Sequence, residues 1–126
     1  MAKQHSASFI MMVDAAKSRI PELTAEDVLV MVQQGEAIQI VDVREESEWA
    51  RGRIAGATHL GKGIIERDVE GRFPDKSTVL ILYCGGGFRS ALAADALHQM
   101  GYIHAVSMDG GWRAWTTLGG PTEAGE

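Results

Sequence analysis

Only one of the 126 residues is cysteine, so no intrachain disulfide can staple this chain and its stability has to come from a packed core. A lone thiol is ordinary in a reducing compartment, which makes the cytoplasm the expected location. Basic residues are also scarce, with 12 Lys and Arg against 17 Asp and Glu and a formal net charge of −5. A nucleic-acid partner needs clustered cations to neutralise phosphates, whereas Arg51, Arg53 and Lys62 are scattered, which argues against that class. No apolar run approaches the roughly 20 residues of a membrane span. The early run of residues 9–13 is interrupted by Asp14, so neither a spanning helix nor a signal core is expected. His5, His59, His98 and His104 lack metal-ligand spacing and there is no second cysteine, so neither a metal nor a cofactor is expected. A phosphate loop is missing too, because no Gly-Lys-Ser/Thr follows the glycines at 85–87.

What the chain does contain, at 45% hydrophobic residues, is enough apolar surface for one core. Phe9, Met12, Val13, Ala16 and Ile20 recur at helical spacing, predicting an amphipathic helical extension over residues 1–20, packed on the domain or on a second subunit. Thr24 followed by Glu26 and Asp27 has the form of an N-cap with an acidic first turn, opening a helix that Gly35 stops. Residues 38–43 form a β-branched run suited to a strand buried on both faces, delivering Asp42 and Arg44 to its end. A brief helix over 45–51, a turn and short extended piece over 52–57, and a helix over 63–69 follow. The apolar run 78–83 predicts a central strand, 90–100 a helix closed by Gly101, 103–108 a strand, and 112–117 a last helical turn. Residues 119–126 have the composition of a flexible tail. Strands alternating with helices indicate an α/β domain with a parallel sheet, whose ligands sit beyond the carboxyl ends of the strands.

Cys84 occupies such an end. It closes the central strand and opens Gly85-Gly86-Gly87-Phe88-Arg89-Ser90, which leads into a helix. Backbone N–H groups of a glycine-rich turn, together with the positive end of the helix, favour thiolate over thiol. Four residues separate Cys84 from Arg89, which points to a small anion pocket centred on one sulfur. Arg44, beside Glu45 and Glu48, reads as a partner of carboxylates, and Asp42 as a loop brace or N-cap. Trp49, Trp112 and Trp115 adjoin apolar helical turns and are expected in the core.

The segment Cys84–Ser90 resembles the active-site loop of the rhodanese (sulfurtransferase) family, Cys-x-x-Gly-x-Arg-Ser, matching it at Gly87, Arg89 and Ser90. Asp42-Val43-Arg44 is similar to the family's Asp-x-Arg strand end, Gly52-Arg53-Ile54-Ala55-Gly56-Ala57 to its Gly-His-Ile-Pro-Gly-Ala segment, and Gly110-Gly111-Trp112 to its closing Gly-Gly-Trp. The resemblance spans residues 21–118 and implies a rhodanese-like three-layer α/β/α domain with a five-stranded parallel sheet. It also implies chemistry. The Cys84 thiolate takes a sulfane sulfur from a donor such as thiosulfate, and the resulting persulfide yields it to cyanide or a thiol. In that scheme Gly85, Gly86, Gly87, Phe88 and Ser90 form the anion-binding loop, Arg89 braces it, and Asp42 and Arg44 support it. Ser90 fits a helix start, its hydroxyl free to bond backbone or sulfur. Departures from the pattern are Arg53 for histidine, Ala55 for proline, and the bare positions Gly85 and Gly86, where relatives carry charged or bulky side chains.

Gly85 with Gly87 also resembles the mercaptopyruvate-type loop, Cys-Gly-x-Gly-x-Thr, but Arg89 in place of threonine favours thiosulfate-type relatives. Two rivals stand beside the sulfurtransferase reading. A phosphatase or arsenate reductase uses a Cys-x5-Arg loop, one residue longer than the spacing here. A sulfur carrier or protein-binding module would accept persulfide from a partner protein without fast turnover. The sequence sets neither the physiological donor nor the oligomeric state.

Overall fold

The computed structural model describes residues 4–124, so the first three and last two positions of the predicted extension and tail lie outside the described residues. Five short parallel strands form the central sheet: β1 (Glu22–Thr24), β2 (Gln39–Asp42), β4 (Thr58–His59), β5 (Leu80–Tyr83) and β6 (Ala105–Asp109), in the order β1-β6-β5-β2-β4. Among the described residues six helices surround it: α1 (Ala7–Lys17), α2 (Ala25–Gln33), α3 (Glu46–Arg51), α4 (Ile65–Arg72), α5 (Phe88–Gln99) and α6 (Gly111–Thr117). A small antiparallel pair, β3 (Arg53–Ile54) with β7 (Thr122–Glu123), sits apart from the sheet.

The period-two alternation of β5 creates two cores. Leu80 and Leu82 face a layer that includes Val13 of α1, Ile65 of α4 and Ala94 of α5, while Ile81 and Tyr83 face Val28 of α2 and Trp115 of α6. This is the expected α/β/α sandwich. Helix α2 begins where the sequence predicts, because Thr24 and Asp27 bond each other's backbone N–H in a capping box. Helix α5 is deeply embedded. Ala91 and Ala94 are buried as well as Ala93 and Leu97, because the helix is packed between the sheet and α1 and alanine allows both to approach.

Two expectations need correction. Val13, Ala16 and Ile20 of the N-terminal stripe are buried, but Met12 is 60% exposed, so the stripe is narrower than its spacing suggests. The residues after Leu118, read as a flexible tail, are partly tied down. The Trp115 indole N–H donates to the Pro121 carbonyl at 3.0 Å, Gly120 is buried, and Thr122–Glu123 pairs with Arg53–Ile54. A two-residue strand has no periodicity to betray it.

Candidate active site

Strand β2 ends in a buried ion pair. The Asp42 carboxylate accepts from the Arg44 backbone N–H at 2.8 Å, from its guanidinium Nη2 at 2.7 Å and from the Tyr83 hydroxyl at 2.6 Å. In-register pairing of Asp42 with Tyr83 on β5 makes the last bond reachable. Arg44 Nη2 also donates to the Gly52 carbonyl at 2.6 Å, and its guanidinium lies 4.8 Å from the centroid of Trp112. Burial, and to a lesser extent the Asp42 carboxylate, push the Tyr83 hydroxyl far above the usual phenol value, so it stays a donor. Among the described residues, no buried side-chain nitrogen or oxygen lacks a partner. Asp42 and Arg44 therefore pair with each other, where the sequence context set Arg44 beside Glu45 and Glu48.

One strand over, Cys84 follows Tyr83 and is 1% exposed. Its surroundings are polar despite that burial. The Gly87 N–H reaches Sγ at 3.1 Å and the Ser90 N–H at 3.4 Å, while the thiol lies 3.6 Å from the Ser90 hydroxyl. Burial alone pushes the thiol up, but the Ser90 hydroxyl and the N–H groups of Ser90, Gly87 and Gly86 outweigh it, leaving Cys84 below the ordinary thiol value. Ser90 stands in the first turn of α5 and is the sulfur's partner, while Gly87 takes the cap position. Its hydroxyl is fixed at 2.8 Å from that of Ser107 on β6, a residue no sequence signal marked.

The turn holds this shape because its glycines are needed. Gly87 caps α5 at φ +104°, a left-handed conformation, and a Cβ there would press on the Gly110 nitrogen. Gly111, at φ +52°, lies so close to the Cys84 carbonyl that any Cβ would collide with it. That closeness lets the first N–H groups of α6 hold the loop from behind, Trp112 donating to the Cys84 carbonyl at 2.7 Å and Arg113 to that of Gly85 at 3.2 Å.

Arg89 makes a two-pronged ion pair with Glu48 of α3, at 2.8 and 3.0 Å. Hydrogen bonding to Arg89 pulls the Glu48 carboxyl down to about 2. The Glu48 pair and the neighbouring Cys84 raise the Arg89 guanidinium further, so both charges persist across ordinary pH. Sequence inspection coupled Glu48 to Arg44. The structure gives it to Arg89, across forty-one positions of chain. Phe88 supplies backbone to the loop while its ring turns to α1, 4.9 Å from the ring of His5 and 6.1 Å from that of Phe9. Of the three tryptophans only Trp115 is fully buried. Trp49 lies between His59, stacked at 4.9 Å, and the Arg53 guanidinium at 4.5 Å. No group of acidic, histidine or cysteine side chains among the described residues is arranged to hold a metal ion. No described helix is long and apolar enough to cross a membrane.

Comparison with known proteins converges on one family. The chain is 30% identical over 109 residues to the thiosulfate sulfurtransferase GlpE of Pseudomonas entomophila (strain L48), an alignment covering 86% of this chain and 96% of that protein. It is also 30% identical over 99 residues to YrkF of Bacillus subtilis (strain 168), provisionally described as a sulfur carrier protein. That match takes in 79% of the chain but only about half of YrkF, 52%. Among solved structures, a Rhodopseudomonas palustris protein of unassigned function, described as a candidate tyrosine phosphatase, superposes with a TM-score of 0.86 at 31% identity, covering 98% of this chain and 99% of that one. The rhodanese-like domain profile matches residues 24–118, from the cap of α2 to the end of α6, and so takes in both strand ends and the glycine turn behind the loop. The chain belongs to the rhodanese-like domain family of sulfurtransferases and sulfur carriers.

Proposed function

We propose that this protein is a sulfurtransferase whose Cys84 thiolate carries the sulfur. The thiolate attacks the outer sulfur of a donor such as thiosulfate. A bond forms between Sγ and that sulfur, the donor's S–S bond breaks, and its electron pair departs with sulfite. The cysteine persulfide then gives its outer sulfur to cyanide or a thiol, regenerating the thiolate. The Gly87 and Ser90 N–H groups favour the thiolate, and once the thiolate is formed the attack requires no general base. The observation that carries this reading is the convergence of the Gly87 and Ser90 N–H groups on Sγ, which stabilises the negative charge of the attacking thiolate. Gly85, Gly86 and Phe88 complete the loop, Arg89 braces its rim, and Asp42 and Arg44 hold the frame. Residues 21–118 form the unit that does this, with the N-terminal helix as an extension, working on small donors and acceptors in the cytoplasm.

Intact mass after incubation with thiosulfate tests it. A gain of about 32 Da, reversed by thiol and absent from Cys84→Ser, is expected. Thiosulfate:cyanide turnover by the wild type, absent from Cys84→Ser, is expected alongside. The similarity to YrkF favours a second reading, a sulfur carrier, in which the mass gain occurs without fast turnover. Similarity to the candidate phosphatase raises phosphoryl chemistry, but the four residues between Cys84 and Arg89 leave a ring one residue short of the phosphatase loop. Cys84-dependent hydrolysis of an aryl phosphate is expected to be at background.

A further inference from the structure

The two bare positions of the loop are each roofed by an arginine, one from the loop's own end and one from α6. A Cβ on Gly85 would lie 3.3 Å from Nη2 of Arg89, and one on Gly86 would strike Nη2 of Arg113. The two guanidinium groups differ in what else they hold. Arg89 is taken by Glu48 through two hydrogen bonds, so its charge is largely spent. Arg113, on the first turn of α6, is exposed and makes no ion pair among the described residues. It also lines a cleft of about 440 Å³ together with Glu26 and Asp109. Asp109 is engaged by Lys17 at 3.5 Å, and Glu26 forms no ion pair with Arg113. The Arg113 backbone is itself fastened to the loop through the Gly85 carbonyl, which anchors the root of the side chain beside the loop.

We propose that Arg113 is the specificity-determining residue of the loop, the unspent positive charge that binds the anionic end of a sulfur donor and selects donors of higher negative charge. The inference rests on the sulfurtransferase reading, and it gives the bare Gly86 a purpose. Glycine leaves room for a cation supplied by the neighbouring helix in place of one within the loop. A dianion such as thiosulfate presents its sulfonate oxygens to the guanidinium while its outer sulfur reaches Cys84. Arginine suits the task because its planar fork can bond two oxygens at once. An aryl thiosulfonate offers the same transferable sulfur but carries one negative charge fewer, leaving an aryl sulfinate instead of sulfite.

The test compares wild type, Arg113→Ala, Arg113→Lys and Gly86→Ala with both donors. Arg113 is exposed and the Gly86 backbone is outside the left-handed region, so none of these changes threatens the fold. Arg113→Ala is expected to raise the thiosulfate KM about tenfold, with kcat within about twofold, and the KM for benzenethiosulfonate only about threefold. Arg113→Lys restores part of the loss. Gly86→Ala, whose methyl takes the guanidinium's place, matches Arg113→Ala. Thiosulfate affinity is measured in parallel in the Cys84→Ser background, with and without Arg113→Ala, where no turnover is needed. A thiosulfate KM and affinity unchanged in Arg113→Ala, while the wild type still forms persulfide, overturns the role of Arg113 alone. A wild type that binds thiosulfate through Arg113 but gains no sulfur upholds the anion site and removes the sulfurtransferase reading.

Discussion

Adjacent strands β2 and β5 both deliver a negative group to the carboxyl edge of the sheet, and the two are treated in opposite ways. At the end of β2, the Asp42 carboxylate is saturated by the Arg44 backbone, the Arg44 guanidinium and the Tyr83 hydroxyl, and both members of the ion pair are buried. At the end of β5, the Cys84 sulfur meets N–H dipoles and a hydroxyl, while the nearest arginine is held by Glu48. A fully neutralised anion serves the frame. One held mainly by dipoles, with its neighbouring arginine shared by a carboxylate, keeps its electron pair available, and that is the difference between a brace and a nucleophile.

The comparison breaks most visibly at β2. Asp42→Asn leaves the Arg44 charge buried without its counter-ion and is expected to destabilise the fold by about 3–5 kcal/mol. Urea denaturation measures this, and a loss as small as that of a surface pair would mean the β2 end is no frame. At β5 the effect should fall on chemistry more than on the fold. Ser90→Ala removes the hydroxyl that helps hold the thiol low, at a stability cost of about 1 kcal/mol. The thiol value rises, so the pH at which the ultraviolet absorbance of the thiolate appears should move upward, and persulfide formation near neutral pH should slow with it.

Glu48→Gln sharpens the contrast with the smallest change, about 0.5–1 kcal/mol, because the Arg89 pair is partly exposed. Its pH dependence has a definite sign. The Glu48 carboxyl is lowered from 4.5 to about 2 in the folded protein, so its stabilising effect is full above 4.5 and disappears as pH falls through about 2. The stability gap between wild type and Glu48→Gln should therefore close over that acid window, as followed by denaturation at stepped pH.

Sequence patterns carried local structure well and distant partnership poorly. Thr24 announced its helix because a capping box is written within four consecutive residues, and Cys84 announced its loop because glycines, strand and helix are contiguous. The β3–β7 pair could not be read, since two residues show no alternation and the partners are separated by most of the chain. Ser107 was equally silent, as one hydroxyl in an apolar strand matters only once β6 lies beside β5. Glu48 was visible, but its choice of Arg89 over the nearer Arg44 depends on how α3 is set against α5. Arg113 carried no signal either, because its meaning lies in the space left by Gly86.

The seat of Gly111 against the Cys84 carbonyl has a consequence for anyone wishing to transplant this chemistry. Grafting residues 84–90 onto another scaffold would strand the carbonyls of Cys84 and Gly85, which the start of α6 satisfies here. The two segments form a single cassette, and a host that lacks a close-fitting glycine opposite the loop has no room to receive it.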